Sequence, residues 1–314
     1  MDKYTIGDLR QRQSLPLEAK VRMSISRIES FYDHFDGEVC VNVSGGKDSD
    51  VLADLVRSVY PNVPLVFVDT GLEYPEVRKH ALEKEGVIRV KPEMSFRNVL
   101  STYGYPVISK EVSMTLYYAR KSSKWAINYL NGLNSNDEID QFKEGMYAKW
   151  KPLIDAPFLI SDKCCRIMKE APLAAFQRER GLKPYVGILA DESQRRKRAW
   201  LKTGCNVFDG RWPHSSPMSF WTEQDVLEYI VTNHIEIASV YGDIVKGKDG
   251  KWVTTGLERT GCMFCMYGVQ SEKHPNRFER MKETHSKLYE YCMKPTDENG
   301  LGLDEVLNYL NIPH

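Results

Sequence analysis

The sequence lacks the long apolar run, the charge excess and the signal sequence of membrane, polyanion-binding and secreted proteins. Its longest apolar runs, such as Leu65–Val68, are far shorter than the ~20 residues that span a bilayer. Its 43 Lys and Arg residues balance 43 Asp and Glu residues, so overall charge does not predict polyanion binding. A local basic patch could still bind a polyanion. Residues 1–13 have no apolar core and do not resemble a secretory signal. These absences predict a cytoplasmic protein without membrane contact.

What the chain does have is enough apolar residues for a core and an unusual set of cysteines. Of its 314 residues, 42% are hydrophobic and 27% charged, which is typical of a globular protein of about two domains. Seven cysteines, an odd number, do not indicate a disulfide framework. Two close pairs, Cys164–Cys165 and Cys262–Cys265, stand out. Paired thiolates from distant segments are typical of a tetrahedral metal site or an iron–sulfur site.

Alternating strand and helix patterns predict a parallel sheet. Runs rich in β-branched residues at Glu38–Val43, Pro64–Val68 and Gly86–Val90 predict strands, and apolar residues at helical spacing lie between them. This order is typical of parallel strands joined by right-handed crossovers. A further strand is predicted at Tyr185–Leu189. The expected fold class is therefore α/β.

Helices are predicted around this sheet. Residues 111–155, which are rich in lysine and tyrosine, predict helices and loops inserted between sheet elements. Thr222 is a plausible N-cap, because an aspartate follows three residues later. We predict three parts: an N-terminal helical segment, residues 1–37; an α/β domain, residues 38–235; and a C-terminal cysteine-bearing segment, residues 236–314.

The segment Ser44–Ser49, with the sequence SGGKDS, is the sharpest motif, and it lies between a predicted strand and a predicted helix. Glycines let the backbone approach a phosphate, and successive N–H groups at a helix N-terminus favour an anion. Lys47 adds a positive charge, and Asp48 could orient Mg²⁺ or the bound phosphates. The spacing differs from that of a P-loop. A tight turn with incidental polar residues is the structural alternative.

The SGGKDS segment resembles the PP-loop of the adenine-nucleotide α-hydrolase superfamily, whose members bind ATP and cleave it between the α- and β-phosphates. Three further segments resemble the phosphoadenosine phosphosulfate (PAPS) reductase family. They are Phe67–Glu76 (Asp-Thr-Gly…Pro-Glu), Gly187–Arg196 (Gly-x-x-x-Glu-x-Ser-x-x-Arg) and Pro217–Val226 (Pro-Leu-x-x-Trp-Thr-x-x-Asp-Val). The resemblance covers about residues 38–270 in the same order. It implies a HUP-like, Rossmann-like parallel sheet flanked by helices.

The resemblance implies roles for the matched positions. The residues that would bind an adenine nucleotide are Ser44, Gly45, Gly46, Lys47, Asp48, Ser49, Asp69, Thr70, Gly71, Gly187 and Ser193. The residues expected to act in catalysis are Lys47, Asp48 and Arg196. Ser193 and Arg196 would reach the anionic end of the substrate. Arg196 lies in the basic run Arg195–Arg198, whose outer members are equally well explained as a solvated helix face.

The segment Lys163–Leu173 resembles the Cys-Cys…Lys…Pro-Leu element of iron–sulfur adenylylsulfate (APS) reductases, in which a second Cys-x-x-Cys completes a [4Fe–4S] site. The implied metal ligands are Cys164, Cys165, Cys262 and Cys265. Zinc bound by four thiolates and buried thiols without metal are the alternatives. Cys205 is expected to be a packed free thiol; the alternative is that it acts as a substitute metal ligand. Cys40 is expected in the core.

Three departures from the reductase pattern favour ATP as the substrate. Those reductases usually have Ser-Phe-Gly in the loop, whereas this chain keeps the SGGKDS that suits ATP and Mg²⁺. Leu189 and Ala190 replace an expected arginine pair, which weakens the case for a sulfate group. The reductase motif Glu-Cys-Gly-x-His, which carries the nucleophile, is matched only at Cys292, and we expect Cys292 to be a half-buried helix residue.

The complete loop and the cysteine pairs also resemble the ATP-pyrophosphatase subunits of DNA phosphorothioation systems and the iron–sulfur tRNA thiolases. This resemblance implies that ATP adenylates an acceptor oxygen, pyrophosphate leaves, and sulfur then displaces AMP. We therefore expect an ATP-dependent sulfur-transfer enzyme with a [4Fe–4S] cluster and Mg²⁺. A nucleic-acid acceptor and a sulfur-donor protein are candidate partners. The alternatives are an APS or PAPS reductase that releases sulfite, and an accessory protein that binds nucleotide or nucleic acid without turnover.

Overall fold

The computed structural model describes residues 2–314. The chain forms two compact units, each built from two segments. The sheet unit consists of Met1–Lys91 and Leu173–Gly261, and the cysteine unit consists of Pro92–Pro172 and Cys262–His314. The sequence-based domain limits at residues 37/38 and 235/236 stay a prediction.

The helices and strands are named in chain order. The strands are β1 (Val39–Val43), β2 (Leu65–Val68), β3 (Val87–Val90), β4 (Val107–Ile108), β5 (Lys183–Val186), β6 (Asn206–Val207), β7 (His214–Ser215), β8 (Ile244–Lys246), β9 (Trp252–Thr254) and β10 (Met266–Tyr267). The α-helices are α1 (Ile6–Gln13), α2 (Leu17–His34), α3 (Lys47–Val59), α4 (Pro75–Glu83), α5 (Phe96–Tyr103), α6 (Lys110–Ala119), α7 (Lys124–Leu130), α8 (Gln141–Tyr147), α9 (Lys163–Cys165), α10 (Ala171–Arg180), α11 (Gln194–Thr203), α12 (Glu223–Thr232), α13 (Arg277–Thr284), α14 (Ser286–Met293) and α15 (Leu303–Tyr309).

A six-stranded sheet in the order β3-β2-β1-β5-β7-β6 forms the centre of the sheet unit. All neighbouring strands are parallel except β6 and β7. In β1, Val41 pairs with Leu65 on one side and with Tyr185 on the other. The predicted α/β fold class, a mostly parallel sheet flanked by helices, is therefore confirmed.

One strand boundary differs from the sequence prediction. The strand predicted at Tyr185–Leu189 is β5, which begins at Lys183 and ends at Val186. Beyond it, the N–H of Ile188 bonds to the carbonyl of Val186 at 3.1 Å, so the backbone turns away from the sheet ladder.

Local hydrogen bonds explain how α12 begins where the sequence predicts. The Thr222 hydroxyl accepts a hydrogen bond from the N–H of Asp225, and the Asp225 carboxylate accepts one from the N–H of Thr222 at 2.6 Å. The same carboxylate pairs with the buried Lys20 of α2 at 2.6 Å. One aspartate therefore caps α12 and joins it to α2.

The cysteine unit is mainly helical. The predicted insertion, residues 111–155, contains α7, α8, most of α6 and a 3-10 helix at Ala148–Asp155. Strands β4 and β10 pair in parallel, with Met266 opposite Val107. Within residues 2–314, no helix has the length and the apolar character needed to span a membrane.

Candidate nucleotide and cysteine sites

The phosphate loop Ser44–Ser49 joins the carboxyl end of β1 to the first turn of α3. Gly45 has a φ of +75°, in the left-handed region that favours glycine. A Cβ atom at this position would also lie only 2.5 Å from the carbonyl oxygen of Val77. Backbone conformation and close packing against α4 therefore both require glycine here.

Two serine side chains stabilise the loop from within. The Ser49 hydroxyl donates to the carbonyl of Gly46 at 2.8 Å and accepts from the N–H of Ser44 at 3.1 Å. The Ser44 hydroxyl accepts from the N–H of Gly46 at 3.3 Å. The loop is thus held in a defined conformation by its own side chains.

A cavity of about 220 Å³ opens at the loop. The sequence-predicted residues that line it are Ser44, Gly46, Lys47, Asp48, Ser49, Gly187 and Arg196. Its wall also contains Tyr241, Glu258, Arg259 and Thr260, which sequence reasoning missed because no motif marks this segment. Gly187 lies close to the loop, since a Cβ there would be 3.0 Å from the carbonyl oxygen of Asp48.

The ammonium group of Lys47 is held at the cavity wall. The residue is only 6% exposed, and its Nζ atom donates to the carbonyl of Glu258 at 2.8 Å. A carboxylate oxygen of Glu223 lies 3.6 Å away, and the ring centre of Tyr241 lies 5.2 Å away. The positive charge is thus fixed before any ligand binds.

Charged groups of both signs surround this ammonium. Burial raises the pKa of Asp48, and the charges of Lys47, Arg259 and Arg196 partly offset that effect. Burial lowers the pKa of the Arg196 guanidinium, which pairs with Glu192. A guanidinium nitrogen of Arg259 lies 3.8 Å from the same Glu192 carboxylate. The cavity therefore contains three cations, one of which sequence reasoning did not identify.

Two other predicted nucleotide-binding positions have local partners. The Ser193 hydroxyl accepts a hydrogen bond from the N–H of Arg196 at 3.2 Å and so caps the helix that carries Arg196. The Thr70 hydroxyl donates to the Glu73 carboxylate at 2.8 Å. Neither Ser193 nor the Asp69–Gly71 segment lines the 220 Å³ cavity.

Asp69 lies at the carboxyl end of β2 and forms ion pairs with two arginines. Its carboxylate accepts two hydrogen bonds from Arg78, at 2.7 and 2.8 Å, and a further contact from Arg89. Burial by itself would raise the pKa of Asp69, but the hydrogen bonds and charges of Arg78 and Arg89 outweigh it and hold the pKa below its usual range. Asp69 therefore carries a negative charge that these arginines compensate.

The four predicted metal ligands all belong to the cysteine unit. The Sγ atoms of Cys164 and Cys165 lie 3.9 Å apart, and the N–H of Cys265 bonds to the carbonyl of Cys262 at 3.1 Å. The hydrogen bond between the adjacent thiols lowers the pKa of Cys165 and raises that of Cys164, which the charges of Cys265 and Cys262 raise further. The two cysteine pairs are therefore close enough to interact electrostatically.

Basic side chains surround these thiols. The charges of Lys110 and Lys169 lower the pKa of Cys165, whereas burial raises that of Cys265 and Arg277 partly offsets it. Within residues 2–314, no group of three or more His, Cys, Asp or Glu side chains is arranged so that it could hold a metal ion. The donor set fits a four-thiolate site in chemistry and charge, but the side-chain arrangement by itself does not define one.

The other three cysteines are buried thiols. Cys292 is 0% exposed, burial raises its pKa to about 12, and its Sγ atom donates to the carbonyl of Tyr289 at 3.2 Å. The expectation of a half-buried Cys292 is therefore wrong, because α14 turns this side chain fully inward. Cys40 and Cys205 are buried in the sheet unit, as expected.

Comparison with known proteins gives a consistent family match. The model of the phosphoadenosine phosphosulfate reductase domain matches residues 38–103 and 110–267. The adenosine 5'-phosphosulfate reductase of Geobacillus kaustophilus is 22% identical over 236 residues, which cover 74% of this chain and 79% of that protein. An uncharacterized protein of Methanocaldococcus jannaschii is 22% identical over 309 residues, which cover 96% of this chain but only 59% of the relative's length.

A solved structure shows a more distant likeness. The phosphoadenylyl-sulfate reductase of Candida auris, solved as a phosphate complex, is 19% identical and has a TM-score of 0.35. The match covers 64% of this chain and 75% of that chain.

Proposed function

Because the chain belongs to the phosphoadenosine phosphosulfate reductase domain family, we propose that it is a nucleotide-dependent sulfur-transfer enzyme that cleaves ATP between the α- and β-phosphates. The observation that carries the proposal is the complete phosphate loop Ser44–Ser49, whose Lys47 side chain is held at the cavity wall. A loop without this lysine would lack a buried cation for the β- and γ-phosphates. The family itself is one of enzymes.

The residues of the cavity suit a polyphosphate. Backbone N–H groups at the start of α3 favour an anion, because the positive end of the helix dipole lies there. Lys47, Arg196 and Arg259 add three positive charges around the same cavity. Charge that develops on a leaving pyrophosphate would be neutralised by these groups, for which Arg196 and Arg259 would exchange their pairing with Glu192 for phosphate oxygens.

The proposed reaction begins with attack of an acceptor oxygen on the α-phosphorus. The bond from the acceptor oxygen to the α-phosphorus forms, the bond from that phosphorus to the bridging oxygen breaks, and the acceptor proton leaves with pyrophosphate. A sulfur nucleophile then attacks the acceptor atom that carries the adenylated oxygen: the bond from sulfur to that atom forms, the bond from that atom to the oxygen breaks, and AMP leaves with the former acceptor oxygen. A nucleic acid is the candidate acceptor, and a sulfur-donor protein is the candidate second partner.

Mg²⁺ is the cation that this reaction would use. Mg²⁺ prefers oxygen ligands and usually binds one or two carboxylates together with substrate phosphates. Asp48 and Glu223 supply carboxylates at the cavity. When bound, the cation would neutralise phosphate charge, and its presence would favour the ionised form of Asp48 that burial disfavours.

We also propose that the cysteine pairs bind a [4Fe–4S] cluster, with zinc as the alternative. Four thiols within one unit and the cations Lys110, Lys169 and Arg277 support this proposal. A cluster would supply electron transfer, whereas zinc would supply structure. Protein purified without oxygen should be brown and contain iron and sulfide. Colourless protein that contains one zinc ion would show that the cysteine pairs form a structural zinc site. Protein that contains neither metal would contradict the proposal.

The second candidate function is the reduction of APS or PAPS to sulfite. The match to a named adenosine 5'-phosphosulfate reductase favours it. The burial of Cys292 disfavours it, because the nucleophile of such a reaction must be an accessible thiolate and the pKa of Cys292 is raised to about 12.

One assay separates the two candidates. The protein is incubated with ATP and Mg²⁺ to measure pyrophosphate, and with labelled APS or PAPS plus thioredoxin to measure sulfite. We expect pyrophosphate release that Cys292→Ser retains, and no sulfite. Sulfite formation that Cys292→Ser abolishes would identify a reductase and reject the ATP proposal. If ATP alone gives no pyrophosphate, nucleic-acid acceptors are added; absence of release in every case would reject ATP cleavage.

A further inference from the structure

The lysine- and tyrosine-rich part of the cysteine unit forms a surface that the proposed nucleotide reaction does not use. We name it the stacking surface and define it by Tyr117, Tyr118, Lys121, Trp125 and Lys163. The two tyrosines lie at the end of α6, Trp125 in the first turn of α7, and Lys163 at the start of α9. All five residues belong to the same unit.

The rings of this surface follow one another in a row. The centroids of Tyr117 and Tyr118 are 5.4 Å apart, and those of Tyr118 and Trp125 are 5.7 Å apart. The row continues inward to Tyr129 and then to Tyr147, which is only 5% exposed and belongs to the core. Tyr118 is 36% exposed, so the outer end of the row faces solvent.

Two lysines lie against the outer rings. The Nζ atom of Lys121 lies 4.3 Å from the centre of the Tyr117 ring and donates to its hydroxyl at 2.7 Å. The Nζ atom of Lys163 lies 4.9 Å from the centre of Tyr117 and 5.5 Å from that of Tyr118. The Nζ atom of Lys163 also lies 3.7 Å from a carboxylate oxygen of Asp162. Lys121, in contrast, forms no ion pair within residues 2–314.

This combination fits a nucleic acid better than a protein. Bases of every type stack on exposed aromatic rings, and cations beside the rings attract the backbone phosphates. Protein interfaces are instead depleted in lysine. A duplex hides the faces of its bases, so the exposed ring of Tyr118 at the outer end of the row favours single strands.

We propose that the stacking surface binds single-stranded nucleic acid, with a base on the exposed ring of Tyr118, which Trp125 supports from behind, and phosphates at Lys121 and Lys163. The binding is independent of ATP cleavage. That the bound strand is also the sulfur acceptor rests on the proposed function.

The test measures the fluorescence anisotropy of labelled oligothymidylate and oligouridylate of about 12 nucleotides, a length within the usual site size. Wild type should bind at least one of them about tenfold more tightly than a duplex of the same length. Affinity should fall about sevenfold between about 50 and 200 mM salt if two lysines neutralise phosphates. Tighter binding of the oligothymidylate would indicate DNA as the ligand, and tighter binding of the oligouridylate would indicate RNA.

Tyr118→Leu should weaken binding about tenfold, because it removes one stacking ring, and Tyr118→Trp should retain it. Lys121→Gln should weaken binding and make it less dependent on salt. Tyr309→Leu, at a tyrosine of the same unit that is 42% exposed, is the matched control. Absence of oligonucleotide binding, or equal effects of Tyr118→Leu and Tyr309→Leu, would overturn the proposal. Neither result would bear on pyrophosphate release, so the two proposals fail separately.

Discussion

The phosphate loop and the cysteine site differ in how far the chain itself specifies them. The loop consists of six consecutive residues, Ser44–Ser49, and its own hydrogen bonds hold it in place. The proposed cysteine site would take two ligands from α9 and two from the Cys262–Cys265 turn, almost a hundred residues later. The first site is formed by local structure, whereas the second depends on the packing of a whole unit.

This difference predicts different responses to change. A locally formed loop can lose one functional group, such as the ammonium of Lys47, and keep its conformation. In the proposed cysteine site, four similar thiols from two segments would share one ligand, so the loss of one thiol would affect the whole ligand set. The following predictions test this contrast, beginning with the largest effect.

Replacing the buried cation should have the largest effect. We expect Lys47→Met to weaken ATP binding by about tenfold to hundredfold, since charge-assisted hydrogen bonds to phosphate contribute about 1.5–3 kcal/mol. Isothermal calorimetry with the Mg²⁺ complex of ATP measures the change. Lys79→Met, at a lysine of α4 whose side chain is 74% exposed, is the matched control. Equal affinities of Lys47→Met and wild type would reject the phosphate-binding role.

A methyl group in the loop should disturb its shape rather than its charge. Gly45→Ala should lower the free energy of unfolding by about 1–3 kcal/mol, because alanine is strained at a φ of +75° and meets the carbonyl of Val77. Urea denaturation measures it. Gly71→Ala, also at positive φ but with no atom within 4 Å of its Cβ, is the control and should cost less. Equal losses would show that packing against α4 contributes nothing.

Removing one thiol should affect only the cysteine site. We expect Cys262→Ser to reduce the bound iron, or zinc, to less than about half of the wild-type content, because the proposed site would need all four thiolates to hold its metal. Metal analysis of protein purified without oxygen measures this, and ATP affinity should stay unchanged. Cys292→Ser, in the same unit, is the control. Full metal content in Cys262→Ser would remove this residue from the ligand set.

The smallest effect is expected at Asp69 and depends on pH. The folded-state pKa of Asp69 is lowered, so its ionised form stabilises the fold above the unfolded-state value of about 3.9, and the contribution disappears as the pH falls through the lower folded-state value. Asp69→Asn should therefore be less stable than wild type near neutral pH and approach it in acid. Denaturation at several pH values measures the difference. Asp249→Asn, at a carboxylate whose side chain is 61% exposed, should show almost no difference. A difference in the free energy of unfolding between Asp69→Asn and wild type that does not change with pH would contradict the ion pairs of Asp69 with Arg78 and Arg89.

The sequence predicts well wherever short-range rules decide the structure. The alternating runs around Val39–Val43 and Leu65–Val68 are strands because β-branched residues suit a buried parallel sheet. The start of α12 follows from the spacing of Thr222 and Asp225, since the two cap each other. Prediction fails at Leu189, which lies beyond the end of β5, because apolar composition does not show where a backbone leaves its sheet.

For the two candidate sites, the residues of each motif can be read from the sequence, but their partners cannot. The consecutive residues SGGKDS determine the loop, because glycine conformations and serine hydrogen bonds act over a few residues. Only the tertiary structure places Arg259 beside Arg196 and the carbonyl of Glu258 against Lys47, because these contacts join segments far apart in the chain. Only packing decides that Cys292 is fully buried while the outer ring of Tyr118 meets solvent, because burial depends on which neighbours cover a helix face.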